Sequence, residues 1–134
     1  METPAQDGLI HSLSNYNLET TISRLESLIA EKEMQIIAKL DHAASAQKIG
    51  KELHPTTLLL FGNPYAGTPL MQEIQTIGID LPQKYLIWED QEKKVWITHN
   101  DPVYMSARHN IEDNEAILKK ITAALQTIAT AAGN

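Results

Sequence analysis

The sequence has no cysteine, and this absence removes several kinds of chemistry at once. Disulfides, thiolate nucleophiles, zinc-thiolate sites and iron–sulfur clusters all need cysteine sulfur. The compartment stays open, because a chain without cysteine fits the cytosol as well as an exported location. The sequence therefore excludes the cysteine-dependent classes of enzyme and metalloprotein.

The sequence also lacks an excess of basic residues. Its 134 residues carry a formal net charge of −6, and the pI is about 5.3. Nucleic acids and anionic membranes attract surfaces rich in lysine and arginine. We therefore expect neither nucleic acid nor a membrane as a partner.

Long apolar runs and a signal peptide are missing too. No run approaches the roughly 20 apolar residues that a membrane span needs, and no basic segment followed by an apolar one opens the chain. We expect a soluble cytoplasmic protein, or a periplasmic or exported one if a leader was removed. Residues 1–7 are predicted to be disordered or an artificial start, residues 8–131 to form one domain with its own core, and residues 132–134 to fray.

The strongest local signal lies in residues 56–76, TTLLLFGNPYAGTPLMQEIQT. Residues 56–61 are uncharged and rich in leucine, which predicts a buried strand that Gly62-Asn63-Pro64 ends. Thr68 and Pro69 then suit the N-cap and first position of a short helix over residues 70–75. A strand leading to a capped helix gathers backbone N–H groups, which favours a ligand site. The same turn would also serve merely to reverse the chain.

The other segments alternate between strand and helix patterns. Asn17 is an N-cap candidate for an amphipathic helix, and Asp41 is one for a short alanine-rich turn or helix ended by Gly50. Two strand-like runs with a polar link between them predict a hairpin that brings Trp88 and Trp96 together. The predicted strands are 8–14, 34–40, 56–61, 83–89 and 94–99, and the longer helices are 18–32, 103–109 and 112–130. These elements favour an α+β fold in which helices cover one face of an antiparallel sheet.

Several motifs occur in a fixed order along nearly the whole chain. They are DHAASA (41–46), FGNP (61–64), AGTPLMQ (66–72), GIDLP (78–82), WED (88–90), VW (95–96), NDP (100–102) and RH (108–109). In these motifs the chain resembles the bacterial-type family called domain of unknown function 302. The family usually has lysine at the position of Tyr65 and commonly tyrosine at that of His99.

The resemblance implies a fold and an assembly without implying a function. The implied fold has the order strand, helix, four antiparallel strands, helix, as in TATA-binding-protein-like folds. The implied assembly is a homodimer. Helices on one face of a sheet leave its other face uncovered, and a dimer partner would cover it.

Candidate ligand-binding residues lie mainly where elements end, which is where binding residues concentrate. For Asn63, Thr68, Asn100 and Asp101, helix capping or turn closure is the simpler explanation. The full set is Asp41, His42, Asn63, Thr68, Met71, Trp88, Asn100, Asp101, Arg108 and His109. We expect a small dimeric binding or sensory domain whose small-molecule cleft lies beside the FGNP turn.

Two alternatives remain open. A copper or zinc protein would gather imidazoles with thioether or carboxylate ligands, although no compact ligand motif is present. The ligands would come from His42, His54, His99, His109, Met71, Met105, Asp41 and Asp101. A small hydrolase or isomerase would pair His42 or His109 with Asp41 or Asp101. The chain has neither a G-x-S-x-G nor a Walker motif, so we expect binding rather than catalysis, and the sequence indicates no particular cofactor.

Overall fold

The structure is a computed structural model that describes residues 7–134. Its centre is one five-stranded antiparallel sheet with the strand order β1-β5-β4-β3-β2. The strands are β1 (Leu9–Ser14), β2 (Gln35–Asp41), β3 (Thr56–Gly62), β4 (Gln83–Glu89) and β5 (Val95–Asn100). Of the predicted lead, residues 1–6 lie outside the described residues.

Helices connect most of these strands. They are α1 (Leu18–Glu31), α2 (His42–Lys48), α3 (Pro64–Glu73), α4 (Pro102–His109) and α5 (Glu115–Gly133), with a 3-10 helix at Gln75–Asp80. The predicted α+β class is confirmed, as is the order of strand, long helix, four strands and final long helix. The short helix α2 connects β2 to β3, α3 follows β3, and α4 lies between β5 and α5.

Helix α1 forms where the sequence predicts it. The Asn17 side chain accepts a hydrogen bond from the Thr20 backbone N–H at 2.8 Å, which satisfies a donor that the first turn would leave free. One face of α1 buries Ile22, Leu25 and Ile29. Helix α1 packs beside α5, and both contact the sheet.

The alternation along β3 separates the two faces of the sheet. Leu59 and Phe61 are fully buried on the face that α1 and α5 cover, whereas Leu58 and Leu60 are only partly buried. Across β3 and β4, the Phe61 ring stacks on the Tyr85 ring with centroids 4.8 Å apart. The Tyr85 hydroxyl donates to the Leu125 carbonyl at 2.7 Å. Burial raises the pKa of Tyr85, so the phenol remains a neutral donor that ties α5 to the sheet.

The second face, which we call the outer face, carries the side chains of Trp88, Trp96 and Thr98 together with the partly buried leucines of β3. Trp88 is paired with Trp96 in the register of β4 and β5, and their ring centroids are 6.4 Å apart. This pairing confirms the predicted hairpin. The Trp88 Nε1–H donates to Thr98 Oγ1 at 2.8 Å, and the Trp96 Nε1–H donates to Asp90 Oδ2 at 2.9 Å.

The predicted start of the helix after the FGNP turn is wrong. Helix α3 begins at Pro64 instead of Leu70, so Thr68 and Pro69 lie inside it. Asn63 is the cap, because its Oδ1 accepts the Tyr65 N–H at 2.8 Å. Asn63-Pro64 has the same cap and first-position chemistry as Thr68-Pro69 and comes earlier in the chain.

Helix α5 extends beyond the predicted residue 130 and ends at Gly133, with Ala132 and Gly133 buried. The last carbonyls of this helix have partners from elsewhere in the fold. Arg24 donates from Nε to the Ala132 carbonyl at 2.8 Å and from Nη2 to the Ala131 carbonyl at 2.9 Å. The Asn15 N–H donates to the Gly133 carbonyl at 2.9 Å. A cation and an amide therefore satisfy a helix end that would otherwise be open.

Candidate functional site

The predicted site residues do not form one cleft, because the sheet separates them. In the antiparallel register of β2 and β3, Asp41 is paired with Thr57 at the start of β3, whereas Asn63 follows the end of that strand. Six residues of strand correspond to about 20 Å. Asn63, Thr68, Met71, Asn100, Asp101, Arg108 and His109 come from the elements at the FGNP end, while Asp41, His42 and Trp88 lie towards the opposite end.

The FGNP corner is packed by the protein's own side chains. A Cβ atom added to Gly62 would lie 3.6 Å from Cβ of Pro82, and one added to Gly67 would lie 3.7 Å from Cδ1 of Leu81. The Met71 side chain fills the space between Gly67 and Gly78 and packs against the core. These contacts leave little room for a ligand behind the corner.

Two of the predicted polar residues act as helix caps here. Asn63 caps α3, and Asp101 caps α4 by accepting the Val103 N–H on Oδ1 at 2.9 Å. Asn100 ends β5, and its carbonyl accepts a hydrogen bond from His99 Nδ1 at 3.0 Å. Thr68 is exposed on α3 and caps no helix. The capping explanation therefore holds for Asn63 and Asp101 and is wrong for Thr68.

Arg108 and His109 converge on Asp80, a residue that the sequence did not single out. Arg108 Nη1 lies 3.1 Å from Asp80 Oδ1, and His109 Nε2 lies 2.6 Å from Asp80 Oδ2. The His109 side chain is 8% exposed, so this contact is shielded from water on the imidazole side. The cluster ties the end of α4 to the 3-10 helix.

The imidazole of His109 also has a contact on its other side. Its Nδ1 lies 3.3 Å from the Thr76 hydroxyl oxygen. The Thr76 hydroxyl, the His109 imidazole and the Asp80 carboxylate therefore form a chain of contacts. Acyl transfer by such a group needs a substrate cavity and donors for an oxyanion as well. Thr76 is exposed and does not line the groove described below. The geometry is that of a structural clamp, and the carboxylate is Asp80 rather than the predicted Asp41 or Asp101.

A large open groove lies at the opposite end of the sheet. Its volume is about 1030 Å³, and it runs between the start of α1, helix α2 and the segment that leads into β3. Asp41 is the predicted site residue that lines it, and His42 is exposed beside it as the first residue of α2. The other ionisable groups that line the groove are Glu19, Lys51, Glu52, His54 and Glu89.

Asp41 has a structural role in this groove as well. Its Oδ1 accepts the Ala44 N–H at 2.9 Å, which caps α2. No ion pair found among residues 7–134 includes Asp41, Glu19, Glu52 or Glu89. The groove therefore presents carboxylates that stay available to a ligand. The sequence signal for this surface was the group of polar residues shortly before β3, namely Lys51, Glu52 and His54.

The histidines proposed as metal ligands are far apart in the fold. His99 is buried in β5 and His109 contacts Asp80, whereas His42 and His54 are exposed at the groove end. Within residues 7–134, no group of three or more His, Cys, Asp or Glu side chains is arranged to hold a metal ion. The geometry of these residues gives no support to a copper or zinc site.

His99 is buried near the end of β5. Its Nδ1 donates to the Asn100 carbonyl, so Nε2 is the acceptor, and Nε2 has no hydrogen-bond partner among the described residues. Its ring is nearly perpendicular to the Tyr85 ring, and the two ring centroids are 5.7 Å apart. Burial lowers the pKa of His99, which keeps the imidazole neutral in the core.

A family model described as "Domain of unknown function DUF302" matches residues 10–128. The chain belongs to this family. Among solved structures, an uncharacterized conserved DUF302 protein from Bacillus stearothermophilus superposes with a TM-score of 0.85 at 17% identity, covering 93% of this chain and 98% of that one. This likeness supports the fold described above.

The curated relatives are longer proteins. The chain is 40% identical over 111 residues to "Fluoride-specific ion channel FluC 1" of Brucella suis biovar 1 (strain 1330), and the match covers 83% of this chain and 44% of the relative. The channels of the same kind from Brucella abortus and Brucella melitensis match equally well over 41% of their length. The chain thus spans less than half of each relative. Within residues 7–134, no helix has both the length and the apolar character needed to cross a bilayer.

Proposed function

We propose that this chain is a dimeric binding or sensory domain that works beside a fluoride channel. The observation that carries the proposal is the match to part of the Brucella channel proteins at 40% identity over 111 residues. Proteins of that identity share a fold. Among residues 7–134 of this chain, no helix is able to span a membrane. In our proposal, the ion-conducting part of the Brucella relatives therefore lies in the half or more of their sequence that this chain does not match.

A non-conducting domain that shares one polypeptide with a channel can have either of two functions. It senses a ligand and changes conduction, or it binds a partner that the channel needs. Either use requires an exposed binding surface, and the groove beside Asp41 supplies one of about 1030 Å³. The FGNP corner is a poorer candidate than the sequence suggested, because Leu81, Pro82 and Met71 fill it. The ligand site in our proposal is therefore the groove.

Uncovered apolar side chains support the dimeric part of the proposal. Leu13 and Leu40 are 45% and 48% exposed on the outer face, and Leu13 is paired with the partly buried Trp96 in the register of β1 and β5. Large exposed apolar patches on soluble proteins commonly mark contacts with another protein. A second copy of the chain is the partner that the family resemblance implies.

The channel relationship is tested on the Brucella suis relative itself. The whole protein and a version without the matched region are reconstituted into liposomes, and fluoride efflux is followed with a fluoride electrode. We expect the shortened protein still to conduct, but with an altered rate or an altered response to fluoride concentration. Equal efflux curves for the two proteins would contradict a regulatory role for this domain.

Ligand binding in the groove is tested on this chain by thermal shift with a panel of cations, amines and metabolites, with sodium fluoride included because of the channel relatives. Gln47 lines the groove from α2, and Gln47→Trp would block it. We expect any stabilising compound to lose its effect in this variant and to keep it in Gln72→Trp, a matched change on the exposed surface of α3. A compound that stabilises both variants equally binds elsewhere and removes the groove from the proposal.

A further inference from the structure

Strand β2 is an edge of the sheet and is the more exposed of its two edges. The edge of β2 that points away from β3 has no strand partner within residues 7–134. Ile37 and Leu40 on this strand are 60% and 48% exposed. Proteins usually protect the unpaired N–H and C=O groups of an edge strand, or use them to pair with another chain.

The other edge strand, β1, is closed in by the end of α5. The Asn15 N–H donates to the Gly133 carbonyl, and Gly133 packs so closely on β1 that an added Cβ atom would lie 2.7 Å from the Leu13 carbonyl oxygen. Among the described residues, no helix end donates or accepts a backbone hydrogen bond at the free edge of β2. The two edges therefore differ, and β2 is the one available for pairing.

We infer that two copies of this chain pair antiparallel through residues 39–41 at the end of β2, with the twofold axis at Leu40, so that their two sheets join at this edge. Helix α2 begins at His42, which limits the strand pairing to these three residues. This inference rests on the dimer in our proposed function and places its interface at the β2 edge, which covers Leu40 and leaves Leu13 on the far side of the outer face exposed. A twofold contact uses the same surface on both copies, so each residue pair across the axis occurs twice. The pairing adds backbone hydrogen bonds in the way of strand addition.

Charge complementarity selects this register. With the axis at Leu40, Lys39 lies opposite the partner's Asp41, and Asp41 lies opposite the partner's Lys39. With the axis at Lys39, two lysines would face each other, and like charges directly opposite are unfavourable in a sheet. With the axis at Ala38, the pairing would run through the irregularity between Ile36 and Ala38. The Leu40 register avoids both problems.

The two charged groups are able to make this contact. Asp41 uses Oδ1 to accept the Ala44 N–H, which leaves Oδ2 for the partner's Lys39. Lys39 lies 3.4 Å from Glu26, but half of its side chain is exposed, so the ammonium group is able to contact both carboxylates. The two Leu40 side chains would meet at the axis and cover apolar surface that is now exposed.

A charge exchange between two variants tests the register. Lys39→Asp places Asp opposite the partner's Asp41, and Asp41→Lys places Lys opposite the partner's Lys39, so each variant alone should dimerise at least tenfold more weakly than the wild type. A one-to-one mixture restores opposite charges at both positions, and we expect it to recover dimer. Sedimentation velocity measures the dimer in each sample, and circular dichroism checks that each variant folds.

A second variant keeps the test independent of the α2 cap that Asp41→Lys removes. Leu40→Lys places two like charges at the axis and should also weaken the dimer at least tenfold, whereas Lys119→Asp on the exposed surface of α5 should not. If these edge variants dimerise like the wild type while Trp96→Lys does not, the outer face is the interface, and the inference fails although the proposed dimer stands. A wild-type chain that stays monomeric overturns both. The fluoride-efflux result does not depend on either outcome.

Discussion

The buried histidine in β5 makes the stability of this protein depend on pH. Burial holds the pKa of His99 below its ordinary value of about 6.5. Above that pH the imidazole is neutral in the folded and unfolded chain, so its contribution is constant. As the pH falls below 6.5, the unfolded chain takes up a proton that the folded chain resists. The free energy of unfolding then falls, by at most about 1.4 kcal/mol per pH unit, until the pH reaches the lowered native pKa.

His99→Phe should remove this part of the pH dependence, because phenylalanine fills similar space and has no proton to gain. Urea unfolding at pH values between 5 and 8 measures the effect. His54→Gln is the control, since His54 is exposed, and it should keep the wild-type slope. An unchanged slope in His99→Phe would mean that another group causes the acid sensitivity.

The cap residue of α3 provides a second test at the scale of one side chain. Asn63→Ala removes the acceptor for the Tyr65 N–H and should lower the free energy of unfolding by about 1 kcal/mol. Asn63→Asp keeps a side-chain oxygen at the same position and should cost much less. Thermal or urea unfolding of both variants distinguishes them. Equal losses would show that the capping hydrogen bond is not what stabilises this corner.

Local chemistry explains which residue roles were predictable. Asn17, Asn63 and Asp101 cap donors that are two or three residues away, so their roles are visible in the sequence. The contact between Asp80 and His109 joins residues 29 positions apart. Asp80 lies among apolar residues in a segment that reads as a connection. Only the packing of α4 on the 3-10 helix shows its partner.

At the scale of whole elements, two helical glycines have opposite predicted effects. Gly133 in α5 lies against β1, and a Cβ atom there would be 2.7 Å from the Leu13 carbonyl oxygen and 3.2 Å from Cα of Ser14. Gly133→Ala must displace backbone, and we expect it to lower the free energy of unfolding by about 1 kcal/mol or more.

Gly67→Ala is the matched change in α3. Its new methyl group would meet Leu81 at an ordinary contact distance of 3.7 Å. Because glycine inside a helix costs roughly 0.5–1 kcal/mol relative to alanine, this variant should be neutral or more stable. Melting temperatures of the two variants test the contrast. If both substitutions shift the melting temperature in the same direction, the close approach of α5 to β1 is not what distinguishes them.

The start of α5 shows why element boundaries were only partly predictable. The prediction placed the start at residue 112, whereas the helix begins at Glu115. The Glu73 carboxylate accepts the backbone N–H groups of Glu112 and Asp113 and the side-chain amide of Asn114. The Glu112 hydrogen bond is the main reason that the pKa of Glu73 is lowered. A carboxylate on α3 therefore holds these residues in a loop, and no local pattern contains that information.

At the scale of the whole molecule, the sequence predicted the fold better than the site. Strand and helix periodicities are local, and the sheet, its buried strand β3 and the hairpin follow from them. The position of a site depends instead on which element ends meet. Asp41 and Asn63 are separated by the length of β3, although both lie in motifs that the family resemblance emphasised. A groove lined by carboxylates at one end and a packed corner at the other were not distinguishable before folding.

The two indoles of the hairpin give the protein an optical reporter of its native sheet. Trp88 and Trp96 are the only tryptophans, and their nearly parallel rings lie 6.4 Å apart. At this short distance the transition dipoles of the two indoles should couple and give two circular dichroism bands of opposite sign. Trp96→Phe would leave only the signal of the single Trp88 indole. The loss of the two coupled bands during denaturation would follow the separation of β4 from β5, without any added label.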